Sequence, residues 1–145
     1  MVSDDKERFS IGLVQLSRHW RTRLDEKLRG TGLTQSRWMA LVLIDRLGDG
    51  LTQRELADAL MLEGASLVRI LDGLENLGIV ERRTDIGGDR RVKKVFLTGQ
   101  AGKILEEINA IARDLRAELM QGVTEAEIRT CIKVFDAIEN RLDMK

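Results

Sequence analysis

The sequence predicts a mainly α-helical fold with one small β-hairpin, and three observations predict it. No proline occurs in its 145 residues, and glycines mark the points where apolar periodicity stops. Apolar residues recur at three- and four-residue steps through most of the chain. One interval departs from that rule. Val80–Thr84 and Val92–Leu97 are rich in β-branched and long charged side chains, and they flank Asp85-Ile86-Gly87-Gly88-Asp89. That pattern reads as two strands joined by a glycine-tipped turn.

Met1 to Lys6 is polar, and the first helix is predicted from about Glu7 to Leu28. Phe9, Leu13, Leu16, Trp20, Leu24 and Leu28 line one face of it, and Gly30-Thr31-Gly32 ends it. Thr34 caps a second helix to about Leu47, with Trp38, Leu41 and Val42 inward, and Gly48-Asp49-Gly50 closes it. Thr52-Gln53-Arg54-Glu55 is a capping box: the Thr oxygen accepts from the N–H three residues on, and the Glu carboxylate reaches back. Leu56, Ala57 and Leu60 follow on one face, and Gly64 is expected to break that helix. The next helix runs from about Ala65 to Leu77 with Leu67, Ile70, Leu71, Leu74 and Leu77 inward, and Gly78 stops it.

Beyond the hairpin, a long helix from Gly99 or Gln100 to about Gln121 carries Ile104, Leu105, Ile108, Ile111, Ala112, Leu115 and Leu119. Gly122 breaks it. Thr124-Glu125-Ala126-Glu127 is a second capping box, and Ile128, Cys131, Ile132, Phe135, Ile138 and Leu142 form one apolar stripe behind it. Cys131 is expected to be a buried structural residue. A six-turn helix at one end and two long helices at the other need a partner along their length. Packing against another copy is the economical use for such faces.

Two short helices around a tight turn read as a helix-turn-helix, and a basic hairpin directly after them makes a winged helix-turn-helix. The predicted organisation is therefore a winged helix-turn-helix domain over residues 33–98 and a helical dimerisation region over residues 1–32 and 99–145.

Lys and Arg number 24 and Asp and Glu 24, so the net charge is zero. That excludes a protein that coats nucleic acid nonspecifically, but not one that binds it locally. Arg82, Arg83, Arg90, Arg91, Lys93 and Lys94 face only Asp85 and Asp89 across the hairpin. This is a basic stripe on a neutral protein. Arg82, Arg83, Lys93 and Lys94 alternate on strands, so only half of them can face one partner.

Enzyme classes fare poorly. There is no Gly-rich phosphate loop and no Ser/His/Asp set, and the one histidine, His19, lies far in sequence from the one cysteine, Cys131. No cofactor and no metal is expected, because a single imidazole cannot supply a multi-histidine site. No apolar run reaches about 18 residues and no secretory segment is evident, so a soluble cytoplasmic protein without membrane contact is expected.

The residue chemistry points to double-stranded DNA as partner. Ser66 and Arg69 lie near the start of the second short helix, away from Leu67 and Leu71. An Arg there can bond guanine O6 and N7 in the major groove, and Ser66 a base or phosphate. Ala65 can meet a thymine methyl group. Thr52 and Gln53 at the first short helix are candidate phosphate contacts.

The run Asp89-Arg90-Arg91-Val92-Lys93-Lys94-Val95-Phe96-Leu97-Thr98 matches the D-x-R-x-x-x-V-x-L-T wing signature of the MarR family. Leu51-Thr52-Gln53, Glu55-Leu56-Ala57, Ser66-Leu67-Val68-Arg69 and Leu74-Glu75-Asn76-Leu77-Gly78 resemble the rest of that domain. Leu33-Thr34-Gln35-Ser36-Arg37-Trp38 makes the resemblance strongest to the SlyA-type branch.

The resemblance implies a homodimeric transcriptional regulator acting on a pseudo-palindromic operator. Arg91, preceded by Arg90, would enter the minor groove at the wing, oriented by Asp89. The resemblance also implies a crevice for a salicylate-like aromatic carboxylate, with Arg18, Arg21, Ser36 and Trp38 as candidates. Arg supplies bidentate recognition and Trp a flat apolar wall. MarR-like peroxide sensors carry a reactive cysteine near the N-terminus, and this chain has none there. The alternative reading is a winged-helix protein–protein adaptor that binds no DNA.

Overall fold

A computed structural model of the chain describes residues 4–84, 87–88 and 91–143. Among the described residues six helices and three short strands follow one another: α1 (Asp5–Leu28), α2 (Gln35–Leu47), β1 (Leu51–Thr52), α3 (Gln53–Leu60), α4 (Gly64–Asn76), β2 (Val80–Thr84), β3 (Lys93–Leu97), α5 (Ala101–Leu119) and α6 (Glu125–Asp143). The chain divides into two compact units between Ala112 and Arg113. No helix among the described residues is long and apolar enough to cross a membrane.

In the first unit α2, α3 and α4 pack on one another, and α4 also packs on β2. Their shared core holds Leu41, Ile44, Leu56, Leu67, Leu71 and Leu74, all with essentially no exposed surface. Leu28 of α1, Ile79 and Val95 are buried as well. α1 joins α2 through Asp25, whose Oδ1 accepts from the Gln35 N–H at 2.5 Å. The periodicity read from the sequence holds for Leu67, Leu71 and Leu74 of α4. Ile70 is only half-buried, and Leu77 is exposed because the helix ends at Asn76 and the chain turns away at Gly78 (φ 74°).

Thr34, Thr52 and Thr124 cap their helices as the sequence announces, although among the described residues only the threonine half of the capping box forms at Thr52 and the Glu55 carboxylate does not reach back. Thr34 Oγ1 accepts from the Arg37 N–H, and Thr52 Oγ1 from the Glu55 N–H at 3.0 Å. At α6 both halves of the capping box are present: Thr124 N–H to Glu127 Oε1 at 3.0 Å, and Glu127 N–H to Thr124 Oγ1 at 3.2 Å.

Three further features depart from expectation. The sheet has three strands, in the antiparallel order β1-β3-β2, not two. Leu51 pairs with Val95 and Thr52 with Lys94, so Thr52 serves both as strand and as helix cap. Gly48 and Gly50, at φ 93° and 91°, let the chain turn into this pairing.

Gly64 does not break α3. The turn is made by Met61, which takes the left-handed conformation (φ 56°, ψ 41°), and Leu62 N–H bonds back to Ala57 O at 2.9 Å. Gly64 is the first residue of α4. Finally, Cys131 is exposed, not buried, because no residue of α6 is buried in the single chain. Ile132, Phe135 and Leu142 beside it are exposed too, as are Phe9, Leu13, Val14 and Leu16 of α1.

Met61 is 86 % exposed, so its side chain contributes no packing. A left-handed L-residue costs about 1–2 kcal/mol, and glycine offsets that by roughly 0.4–1 kcal/mol of unfolded-chain entropy. Met61→Gly is therefore expected to raise stability by up to about 1 kcal/mol in urea denaturation, whereas a loss of stability would contradict the turn described.

Candidate nucleic-acid interface

Helix α4 buries Leu67, Leu71 and Leu74 on one side and leaves Ala65, Ser66, Val68 and Arg69 exposed on the other. Its first turn has no side-chain cap, so its leading N–H groups make no bond to the Glu63 carboxylate. Asp72, one turn beyond Arg69, pairs with Arg82. Among the described residues Arg69 forms no ion pair. A solvent-facing Ser66 and Arg69 on a helix anchored by its opposite face can reach base edges in a groove.

At the start of α3, Thr52 is half-buried and its hydroxyl is engaged as the cap. Gln53 is half-buried, and its Oε1 lies 3.5 Å from Arg82 Nη1. On the wing, Arg91 is exposed, and Lys93 Nζ donates to Thr84 Oγ1 at 2.8 Å. Asp89 and Arg90 lie outside the described residues.

The basic stripe is less free than the sequence implies. Arg83 donates from Nε to Glu81 Oε1 at 2.9 Å, and its guanidinium lies 4.3 Å from the centre of the Phe96 ring. Arg82 turns inward. Its Nε donates to Glu75 Oε1 at 2.6 Å and its Nη2 to Asp72 Oδ1 at 2.5 Å, and its backbone N–H also donates to Glu75 Oε1 at 3.2 Å. These bonds hold the Glu75 carboxyl below its ordinary range and the Arg82 guanidinium above its own. Sequence reasoning missed this cluster. Its signal was the Asp72–Glu75 spacing on one helix and an Arg on the following strand, but the angle between helix and strand is a tertiary quantity.

A second guanidinium is also engaged. Arg37 Nη1 donates to Gly32 O at 2.7 Å, and the guanidinium lies where a Cβ on Gly73 would stand. That explains a glycine in the middle of α4, where alanine would favour helix by about 1 kcal/mol.

Two of the four ligand candidates share a groove on α1. Arg18 and Arg21 line an open groove of about 410 Å³ with Leu13, Val14 and Ser17, all on α1. Ser36 and Trp38 do not line it. Ser36 is exposed in the first turn of α2, and Trp38 is half-buried, with its Nε1 enclosed and without a hydrogen-bond partner among the described residues. No group of three or more His, Cys, Asp or Glu side chains among the described residues could hold a metal ion.

A model of the MarR family matches residues 31–91, the segment that contains α2, β1, α3, α4 and β2. The transcriptional regulator PA3341 is 40 % identical over 94 % of this chain and 99 % of its own, with a TM-score of 0.83. The chain belongs to the MarR family. Its fold is also that of a mutant E. coli MarR complexed with operator DNA, at 25 % identity over 94 % of this chain and 99 % of that one, with a TM-score of 0.81. The organohalide-sensing regulator RdhR in its 2,4-dichlorophenol-bound form shares the fold at 16 % identity over 97 % of this chain and 82 % of that one, with a TM-score of 0.84. The MarR family is one of transcription regulators, not enzymes, and this member is a DNA-binding regulator with a winged helix.

The Arg82–Glu75 pair of this MarR-family chain gives a stability prediction. Glu75 has a folded-state pKa below its ordinary 4.5. Its contribution is therefore fully present above the unfolded value and is lost as pH falls through the folded one. Urea denaturation of Glu75→Gln and the unsubstituted protein is expected to show a stability gap that is constant above about pH 5 and closes as pH falls below 4.5. A gap that widened in acid would contradict the pairing.

Proposed function

We propose that this chain works in the cytoplasm as a homodimeric regulator of the SlyA type, on a pseudo-palindromic operator. The observation that carries the reading is the split character of α4. One face is locked into the core, and Ala65, Ser66 and Arg69 stand exposed at its N-terminal end. In a two-fold dimer, two such helices would enter successive major grooves about one helical turn apart, roughly 34 Å. Residues 33–98 form the reading head in this account, and residues 1–32 and 99–145 hold the two heads together. The exposed apolar residues of α1 and α6 suit that dimer role.

Arg91, with Arg90 and Asp89, serves the minor groove beside the recognition site. Thr52 and Gln53 bear on the backbone. For Thr52 the phosphate contact would come from the backbone end of α3, since its hydroxyl already caps the helix. A small aromatic carboxylate is the proposed effector. Arg18 and Arg21 supply cationic forks beside Leu13 and Val14, and Trp38 supplies an aromatic wall whose enclosed N–H has no partner among the described residues. Ser36 adds a hydroxyl on the same helix. The dichlorophenol-bound relative supports an aromatic ligand in this fold. Such a ligand regulates only if it binds two arrangements of the heads with different affinity.

Selection of duplexes from a random pool by the purified protein, then titration at two salt concentrations with and without salicylate, tests the reading. One selected sequence should bind more tightly than its scrambled form, losing affinity steeply as salt rises. Failure to retain any duplex would favour the adaptor reading. Arg69→Ala is expected to lose roughly 1–3 kcal/mol of discrimination at one position of each half-site. Arg91→Ala is expected to weaken binding several-fold while sedimentation still shows a dimer. Unchanged affinity in both variants would contradict the assigned interface.

A further inference from the structure

Arg82 stands on the edge strand of the sheet, since β2 pairs with β3 alone. Thr98 N–H donates to Ile79 O at 2.9 Å, which sets the phase of the antiparallel pairing. Glu81 and Arg83 then direct their backbone groups to β3, and Arg82 turns its N–H to the open edge. Glu75 of α4 accepts that N–H, and the same oxygen takes Arg82 Nε. Arg82 Nη2 reaches both Glu75 Oε2 at 3.1 Å and Asp72 Oδ1, one helical turn earlier. Nη1 points toward Gln53, the first residue of α3. One side chain thus joins the wing to both helices of the helix-turn-helix. Only 18 % of it is exposed.

The cluster also governs charge. Asp72 and Glu75 would place two negative charges on the helix that approaches DNA, and Asp72 lies only one turn from Arg69. The guanidinium of Arg82 is spent on these two carboxylates and is not available to a phosphate.

We propose that Arg82 is a positioning residue for DNA recognition: it holds the wing at a set distance and angle from α4, so that helix and wing engage one duplex as a rigid pair, and it does not itself hold DNA. The inference rests on the DNA-binding reading above and adds the residue that coordinates its two contact elements.

The decisive variant is the double substitution Asp72→Asn with Glu75→Gln. It removes two negative charges beside the DNA and releases a guanidinium. Electrostatics alone then predicts tighter binding to every duplex. Positioning predicts the opposite for the cognate site. Binding is measured on the tightest duplex selected by the unsubstituted protein and on a scrambled duplex of the same composition. The double variant is expected to bind the selected duplex at least fivefold more weakly, and the scrambled one no more weakly than before.

Arg82→Lys keeps the charge but cannot present a planar fork to two carboxylates. It is expected to lose at least fivefold on the selected duplex only, whereas a residue that merely touched phosphate would tolerate the change. Near-UV circular dichroism reports folding, and if the double variant does not fold, Glu75→Gln alone is held to the same criterion. Equal or tighter binding of the selected duplex by the double variant, or unchanged binding by Arg82→Lys, overturns the inference. If the unsubstituted protein selects no duplex, the DNA-binding reading falls and this inference with it. If it selects one and the variants keep its affinity, only the positioning role falls.

Discussion

The wing is tied to α4, the proposed recognition helix, through the guanidinium of Arg82. An edge strand must satisfy outward backbone groups, and a helix carrying Asp72 and Glu75 must neutralise them near a polyanion. Arg82 meets both demands: its backbone N–H donates to Glu75 Oε1 at 3.2 Å, and its guanidinium bonds the two carboxylates at 2.5 and 2.6 Å. Its burial and its hold on two carboxylates at once set it apart from the surface pairs of this chain. Arg129 and Glu125, for instance, are 3.8 Å apart and 72 % and 91 % exposed. Such pairs contribute roughly 0–1 kcal/mol, whereas a charge-assisted fork is about twice as strong as a neutral hydrogen bond and fixes an angle as well. Other connections of the wing among the described residues include backbone pairing to β1, the Leu97 N–H to Asp49 Oδ1 at 3.0 Å, and the bond from Thr98 Oγ1 to Gly78 O. They set where the sheet begins, while Arg82 sets how its outer strand meets α4.

Local chemistry was legible in the sequence wherever a residue acts within a few positions of itself. Thr34, Thr52 and Thr124 cap the helices they precede, and Gly78 turns where a positive φ is required. The wing strands fall within one residue of the alternation that predicts them. What escaped depends on partners distant in the chain. β1 is two residues long and exists only because Leu51 and Thr52 meet Val95 and Lys94. The inward turn of Arg82 needs the docking of β2 on α4. Met61 was missed for another reason: a nearby glycine was the obvious turn-former, yet the chain turned three residues earlier, at an exposed methionine.

The candidate site was read with uneven success for the same reason. Ala65, Ser66 and Arg69 are exposed on α4 as helical periodicity requires, since the buried leucines leave them no other direction. Arg18 and Arg21 share a groove because they stand three residues apart on one helix. Ser36 and Trp38 lie on another helix and do not line it. The apolar stripe of α6 is a correct pattern with the wrong inference for Cys131: periodicity identifies a common face, but burial requires something to cover it.

The central claim is that α4 reads the major groove twice, under two-fold symmetry. Dimethyl sulfate probing of guanine N7 on a selected duplex measures it directly, because N7 lies in the major groove. The account predicts two protected clusters about one helical turn apart, roughly 34 Å, with mirrored patterns on the two strands. A single protected cluster, or none while the protein remains bound, would contradict it.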